Sequence, residues 1–354
     1  MTPKTGDHLV GNWLLVIAAM IFGMVVGGGH VRTIGAGFAV QIWKPVFGFL
    51  PPVSDAGWKH LFALYQKTSQ FQALHPAMTL TQFKVMAWPN ILDRDWGRLM
   101  GIVFIVPLAV FRWQRRISDR MTIWLLFIFS AGAAEATIGW YMVRSAMSPG
   151  NLSPSPLWLA PHFVLAMMIF CAVLWTALSI RSPVPVPVEG SAHLRPWLTA
   201  AIVLIIATML TGSLVAATGA NRVYNTFPLM NGHVMPQNAW ALHPVWLNLL
   251  ANQGTVQFEH RVLATIATVV VLIAAVQGLR IPTSTRVRDL FLLLALSVSL
   301  QYILGMTALI SGMNSIGYSH ELNAVLVLAA CIACRHTVRG TNPIIRYLVT
   351  KAAE

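Results

Sequence analysis

Four apolar runs of this 354-residue chain open with a polar residue of a kind that binds metals or carries protons. The fullest is VQFEHR at 256–261, where His260 and Arg261 stand at the mouth of the run 262–279. Asp93 and Arg94 precede the run 96–111, His162 precedes 163–180, and His320 and Glu321 precede 322–334. An ionisable side chain at the mouth of a membrane-spanning segment is costly and points by default to function. Neutral imidazoles facing each other across a helical bundle can clamp a metal ion, or a haem iron axially. A zinc or copper cage would be short of ligands, so a planar cofactor that needs only axial ligands fits better. Arg94, Arg98 and Arg261, a turn or less away, suit either the acidic groups of such a cofactor or plain interfacial anchoring.

Positioning these residues falls to helices in a membrane. With 56% hydrophobic and 10% charged residues and 13 Trp, the chain has too little polar surface for a soluble globule. Eight runs approach the roughly 20 apolar residues needed to cross a bilayer. They lie near 11–29, 94–112, 121–143, 160–180, 196–217, 260–279, 290–311 and 319–335, which predicts an all-α membrane protein. The first run reads as a retained span rather than a cleaved signal.

Basic residues predict the orientation. With the N-terminus inside, Lys4, Arg112, Arg115, Arg116, Arg120, Arg181, Arg195, Arg280, Arg286, Arg288, Arg335, Arg339, Arg346 and Lys351 are all inside. The short outer loops near 144–159 and 312–318 hold only Arg144, so the expectation is N-in and C-in. The net charge of +13 then reflects retention against anionic membrane lipid, and no nucleic-acid-binding module is visible. Cys171, Cys331 and Cys334 fall within spans and read as packing residues. His30, His60, His75, His233 and His243, near the outer loops, and His8, His193 and His336, on the inner side, read as solvated or interfacial.

The order of the chain contains a repeat. GGGHV at 27–31, followed by Gly35-Ala36, aligns without a gap with TGSLV at 211–215, followed by Gly219-Ala220. Asp93-Arg94 then matches His260-Arg261, and His162 matches His320. The chain divides into two pseudo-symmetric four-helix halves, 1–181 and 196–354, joined by a cytoplasmic Pro-rich linker at 182–195. Even-numbered spans run from outside to inside, which brings all four polar residues to the outer leaflet.

From Gly27 to about Ala333 the chain resembles the heme A synthase family in its mitochondrial and alphaproteobacterial branch. The matching stretches are WKPVFGFLPP (43–52), MTLTQFK (78–84), WGRL (96–99), GWYMVRS (139–145), YNTFP (224–228) and VQFEHR (256–261). The resemblance implies a bacterial inner-membrane oxidoreductase that oxidises the C8 methyl of haem O to a formyl, giving haem A for terminal oxidases. It implies a haem b between His260 and His320 and a substrate haem at His162. It also makes a haem O synthase, an electron donor and a second copy of the chain candidate partners.

Two positions depart from the family pattern. Its catalytic Glu falls on Asn90 and its first-half His on Asp93, where Asp93 could instead cap a helix beginning after Pro89. Glu135, where relatives usually carry Gln, is a candidate replacement for the missing carboxylate. Two function classes follow: an active haem-modifying enzyme, or a haem-binding protein without catalysis that serves oxidase assembly or electron transfer. A diheme cytochrome passing electrons to quinone ranks behind both, because it leaves the first-half asymmetry unexplained.

Overall fold

The computed structural model describes residues 7–42, 51–147, 150–152, 154–182 and 188–340. Eight of its helices are long and apolar enough to cross a membrane. They are α1 (His8–Thr33), α4 (Leu80–Trp113), α5 (Asp119–Ser145), α6 (Pro156–Arg181), α7 (Leu194–Thr218), α9 (Gln253–Arg280), α10 (Thr285–Ser311) and α11 (Asn314–Thr337). Three further helices, α2 (Asp55–Gln66), α3 (Ser69–Leu74) and α8 (Asn248–Ala251), lie outside the spans, and no strand forms among the described residues. The protein is an all-α, multi-pass membrane protein.

Each span continues beyond the apolar run that announces it, and α4 does so most. It starts at Leu80, where Thr79 and Gln82 form a reciprocal capping box. Its 34 residues rise about 51 Å, well beyond a hydrocarbon core of about 30 Å. The extra turns carry Phe83, Met86, Ala87 and Ile91 into a cluster with Trp58, Leu61 and Tyr65 of α2. Asp93 is therefore several turns inside a helix that runs through Pro89, and it caps nothing. The expected start at 94 fails because the first turns of α4 bury their apolar face on α2 rather than in lipid.

Packing links neighbouring spans in a closed circuit. Helix α1 lies against α4, α6 and α11, α5 against α6, α7 against α6, α9 and α11, and α10 against α9 and α11. One buried core runs through all of them, with Leu14, Leu125, Met167, Leu198, Leu294 and Leu328 fully enclosed. At one end of the first four spans, Arg116 pairs with Asp7, Arg112 with Asp119, and Arg181 with Asn12. These ties gather the start of α1, the end of α4, the start of α5 and the end of α6 on one face, as alternating spans require. Across the circuit, Arg32 of α1 pairs with Glu321 of α11, and the Tyr318 hydroxyl donates to the Val26 carbonyl at 2.8 Å.

Lys4, Arg346 and Lys351, most of the segment 43–52, and linker positions 183–187 lie outside the described residues.

Candidate functional site

His260 on α9 and His320 on α11 face each other, with ring centroids 6.4 Å apart and planes nearly perpendicular at 84°. Both rings are oriented from behind. His260 Nδ1 lies 3.1 Å from the Thr208 carbonyl on α7, and His320 Nδ1 lies 3.0 Å from the Gln301 carbonyl on α10. An Nδ1–H donated to a carbonyl leaves Nε2 unprotonated, with the lone pair a metal uses. The Gln301 amide nitrogen, 3.4 Å from His320 Nε2, faces that lone pair. Asn323 locks the Gln301 side chain by donating to its Oε1 at 2.9 Å.

Glycine makes room for each ring. A β-carbon at Gly212 would stand 3.0 Å from His260 Cε1, and one at Gly305 would stand 2.8 Å from His320 Cε1. Gly139 serves His162 in the same way, at 2.8 Å. The fourth member of the set is Gly27, whose β-carbon would collide with the Asp93 carboxylate. Each span that carries a seat is thus packed against a glycine of the span preceding it, and for the three histidines the acceptor carbonyl belongs to the residue one turn before that glycine.

The first-half seat differs in its side chains. His162 Nδ1 lies 3.3 Å from the Glu135 carbonyl and 2.9 Å from Glu135 Oε1. Asp93 Oδ1 is buried without a hydrogen-bond partner. His162 and Glu135 are thus in contact, with Glu135 behind the imidazole, and Asp93 lies within electrostatic reach of both.

A shared scaffold flanks the seats, and sequence reasoning missed its purpose. Gly35 and Gly219 both adopt left-handed backbone, with φ of 71° and 68°, and each starts a short 3-10 turn. Asn90 donates its amide to the Ala36 carbonyl at 3.0 Å, as Gln257 does to the Ala220 carbonyl at 2.6 Å. Arg94 grips the carbonyls of Val40 and Ile42, and Arg261 those of Tyr224 and Thr226. Arg98 pairs with Asp95 at 2.6 Å. Asn90, Arg94 and Arg261 therefore hold the chain leaving α1 and α7 against α4 and α9. The signal was available: the register that pairs Asp93-Arg94 with His260-Arg261 also pairs Asn90 with Gln257.

Other residues resolve simply. Among the described residues, no group of three or more His, Cys, Asp or Glu converges as a metal cage. Cys331 and Cys334 are buried and Cys171 half-buried in the packed spans. His336 departs from the solvated reading: it is buried, with Nε2 3.2 Å from Ser179 Oγ and its ring edge-on to Trp175. His75 Nδ1 lies 2.7 Å from the Tyr65 hydroxyl, whose pKa burial pushes up to about 12.

Comparison with known proteins identifies the family of the chain. The chain is 62% identical to Heme A synthase 1 of Acidiphilium cryptum over 351 residues, 99% of this chain and 98% of the relative. It is 40% identical to Heme A synthase 2 of the same organism, covering 94% of this chain and 92% of the relative. Heme A synthase of Granulibacter bethesdensis is 36% identical over 97% of this chain and 91% of its own length. Residues 11–332, from the start of α1 to the last turns of α11, match the family described as Cytochrome oxidase assembly protein (COX15-CtaA), and the chain belongs to it.

Proposed function

We propose that this protein is a heme A synthase-type oxidoreductase that oxidises the C8 methyl of haem O to a formyl for terminal oxidase biogenesis. The observation that carries the reading is a pair of unlike seats on one scaffold. The second half presents two oriented imidazoles, His260 and His320, which suit a haem b ligated on both faces. The first half presents one oriented imidazole, His162, with the Asp93 carboxylate in the remaining seat. The donor set fits haem at both places, because each imidazole keeps Nε2 for an axial bond and the seats otherwise lack the ligands of a metal cage.

His162 would hold the substrate haem, and the iron of that haem would supply the oxygen activation when bound. The chain's own residues supply the rest. His162 fixes one face of the substrate, and Asp93 places a carboxyl on the other. Gly27 and Gly139 let both groups sit close against the preceding helix, where a β-carbon would meet them. Each hydroxylation of the methyl inserts one oxygen atom of dioxygen and reduces the other to water with two electrons from a donor. Loss of water from the doubly hydroxylated carbon gives the formyl. His260 and His320 would hold a haem b that could supply those electrons.

The same reading places the protein in a bacterial inner membrane, N-in and C-in, with both haem seats toward the periplasmic side. It makes 1–181 the substrate half and 196–354 the haem b half, and leaves a haem O synthase, an electron donor and a second copy of the chain as the partners to test.

The decisive experiment co-expresses the chain with a haem O synthase in a host that makes no haem A, then extracts and separates the haems. Haem A, or its hydroxylated precursor, is the expected product. Haem B alone from correctly inserted protein would overturn the enzymatic reading in favour of a haem-binding assembly or electron-transfer factor.

A further inference from the structure

The three histidine seats are built alike except for what stands behind the ring. In each, Nδ1 faces the carbonyl of the residue one turn before the seat glycine: Thr208, Gln301 or Glu135. The side chains of those three residues do different work. The Thr208 hydroxyl donates to the Leu204 carbonyl at 2.7 Å, and Gln301 is held by Asn323. The Gln301 amide meets its histidine at Nε2, 3.4 Å away, and the only side chain behind the His260 ring is the neutral Thr211 hydroxyl, 3.1 Å from Nδ1. Of the three, Glu135 alone places its own side chain behind the ring, with Oε1 2.9 Å from His162 Nδ1.

The position of that contact decides what Glu135 can do. Nδ1 and Nε2 lie on different edges of the imidazole, so a carboxylate bound to Nδ1 stands behind the ring when Nε2 points at an iron. Glu135 is therefore poorly placed to replace an acid that must touch substrate, which corrects the expectation drawn from the sequence. It is well placed to act through His162. A carboxylate behind a ligating histidine fixes the ring and raises the basicity of the ligand, and losing such a partner typically costs 10–100-fold in metal affinity. Hydrogen bonds to a charged acceptor are also about twice as strong as those to a neutral one.

We propose that Glu135 is a positioning residue that turns His162 into a stronger electron donor than His260 or His320, which have only neutral acceptors behind them. This rests on the reading that His162 ligates haem iron. It gives the two halves different electronic characters. A donor-rich axial ligand favours oxygen chemistry at an open iron, as strongly donating ligands do elsewhere. Neutral backing suits a site that only passes electrons. Asp93 takes no part in the hydrogen bond between Glu135 and His162.

The test uses the full-length protein, purified with haem O after co-expression with a haem O synthase, and reads the iron–histidine stretching band of the ferrous state by resonance Raman spectroscopy. That band arises from five-coordinate ferrous haem, so it reports the first seat while the six-coordinate haem of the second half stays silent. Glu135→Gln should move the band to lower frequency, raise the reduction potential of that haem, and weaken its retention about 10–100-fold. Glu135→Asp should restore part of each shift. The low-spin absorption of the second half should not change and serves as the check on folding. If Glu135→Gln does not assemble by that check, Glu135→Asp carries the comparison with the wild type, and an unshifted band there overturns the proposal. An unshifted band and potential in a folded Glu135→Gln protein likewise overturn it, with His162 still a ligand. If His162→Ala leaves haem content and the high-spin spectrum intact, the ligand reading itself has failed.

Discussion

The two halves share their backbone machinery and differ at the atoms proposed to meet the haems. Gly35 and Gly219 make the same left-handed turn, Asn90 and Gln257 pin it, and Arg94 and Arg261 clamp the segment that follows. On this common frame the second half sets two imidazoles against carbonyls, whereas the first sets one imidazole against a carboxylate and fills the other seat with Asp93. A frame that fixes helix ends to within a hydrogen bond lets one side chain change the chemistry without moving the backbone. On the proposed reading, the contrast teaches that the resting place of a reactive iron need not differ in fold from that of a reserve of electrons. It need only lose one strong ligand.

Erasing the contrast should have the largest effect. Asp93→His places an imidazole where the second half has His260, against a glycine that already leaves room for it. The expected result is a second six-coordinate low-spin haem spectrum together with a fall in haem A formation of about 100-fold or more, since closing the axial position removes the site of oxygen chemistry. Turnover at the wild-type level in a variant with two low-spin haems would show that the open face is not what separates the halves.

Filling a seat glycine should do less. Gly305→Ala puts a β-carbon 2.8 Å from His320 Cε1, and the imidazole must give by several tenths of an ångström. Because its Nδ1 is tethered to the Gln301 carbonyl, the ring cannot withdraw without breaking that bond. Haem retention in the second half should fall by about tenfold, on the scale of a lost supporting contact, measured by dialysis against a haem acceptor. Gly139→Ala should have the matching effect on the first half alone. If both substitutions damage the same haem, the assignment of one seat pair to each half is wrong.

The sequence made these seats partly legible. Eight apolar runs announced the spans, and the polar residue at the mouth of four of them pointed to His162, His260, His320 and Asp93. The glycines stayed hidden, because Gly139 and Gly305 sit in apolar runs where small residues commonly pack helices. Only their contact with a ring from another span identifies them. Asp93 looked like a helix cap because Pro89 and Asn90 stand just upstream of it. The first turns of α4 pack on α2 instead of lipid, so a bilayer-length window could not follow them. Glu135 was visible as an acid within a span, but its partner was not, since the spacing along α5 says nothing about which edge of His162 it meets.

The arginines sharpen the comparison at the level of stability. Arg94 and Arg261 each hold two carbonyls of the segment leaving the preceding odd-numbered span. Hydrogen bonds from a charged donor contribute about 1.5–3 kcal/mol each, and the pair on one guanidinium will not be additive. Arg94→Ala and Arg261→Ala should each destabilise the folded protein by roughly 3 kcal/mol, seen as a lowered Tm in detergent. The haem spectra should persist in the fraction that remains folded. Loss of haem without loss of stability would instead assign these guanidinia to the cofactor's acidic groups.

The segments that cap the seat ends of the two halves provide the last and smallest contrast. In the second half, Asn248 is fully buried and bonds the backbone of Leu242 in both directions, and it also accepts from Asn252. In the first half, Lys84 reaches from α4 to Asp55 of α2 at 3.0 Å, with the Asp55 side chain 80% exposed. The hydrogen bond from Lys84 and its charge hold the Asp55 carboxyl below the usual Asp range. A carboxyl with a lowered folded-state pKa adds stability above its unfolded value and loses it as the pH falls through the folded one. The tie should thus be complete at neutral pH and vanish in acid, and salt should weaken it at every pH because the pair lies in solvent. Since Trp58 and Tyr65 keep α2 seated through buried contacts, Lys84→Met should leave Tm and both haem spectra unchanged. Its effect should appear only as faster amide hydrogen exchange in α2 at neutral pH and low salt, a difference from the wild type that disappears on acidification.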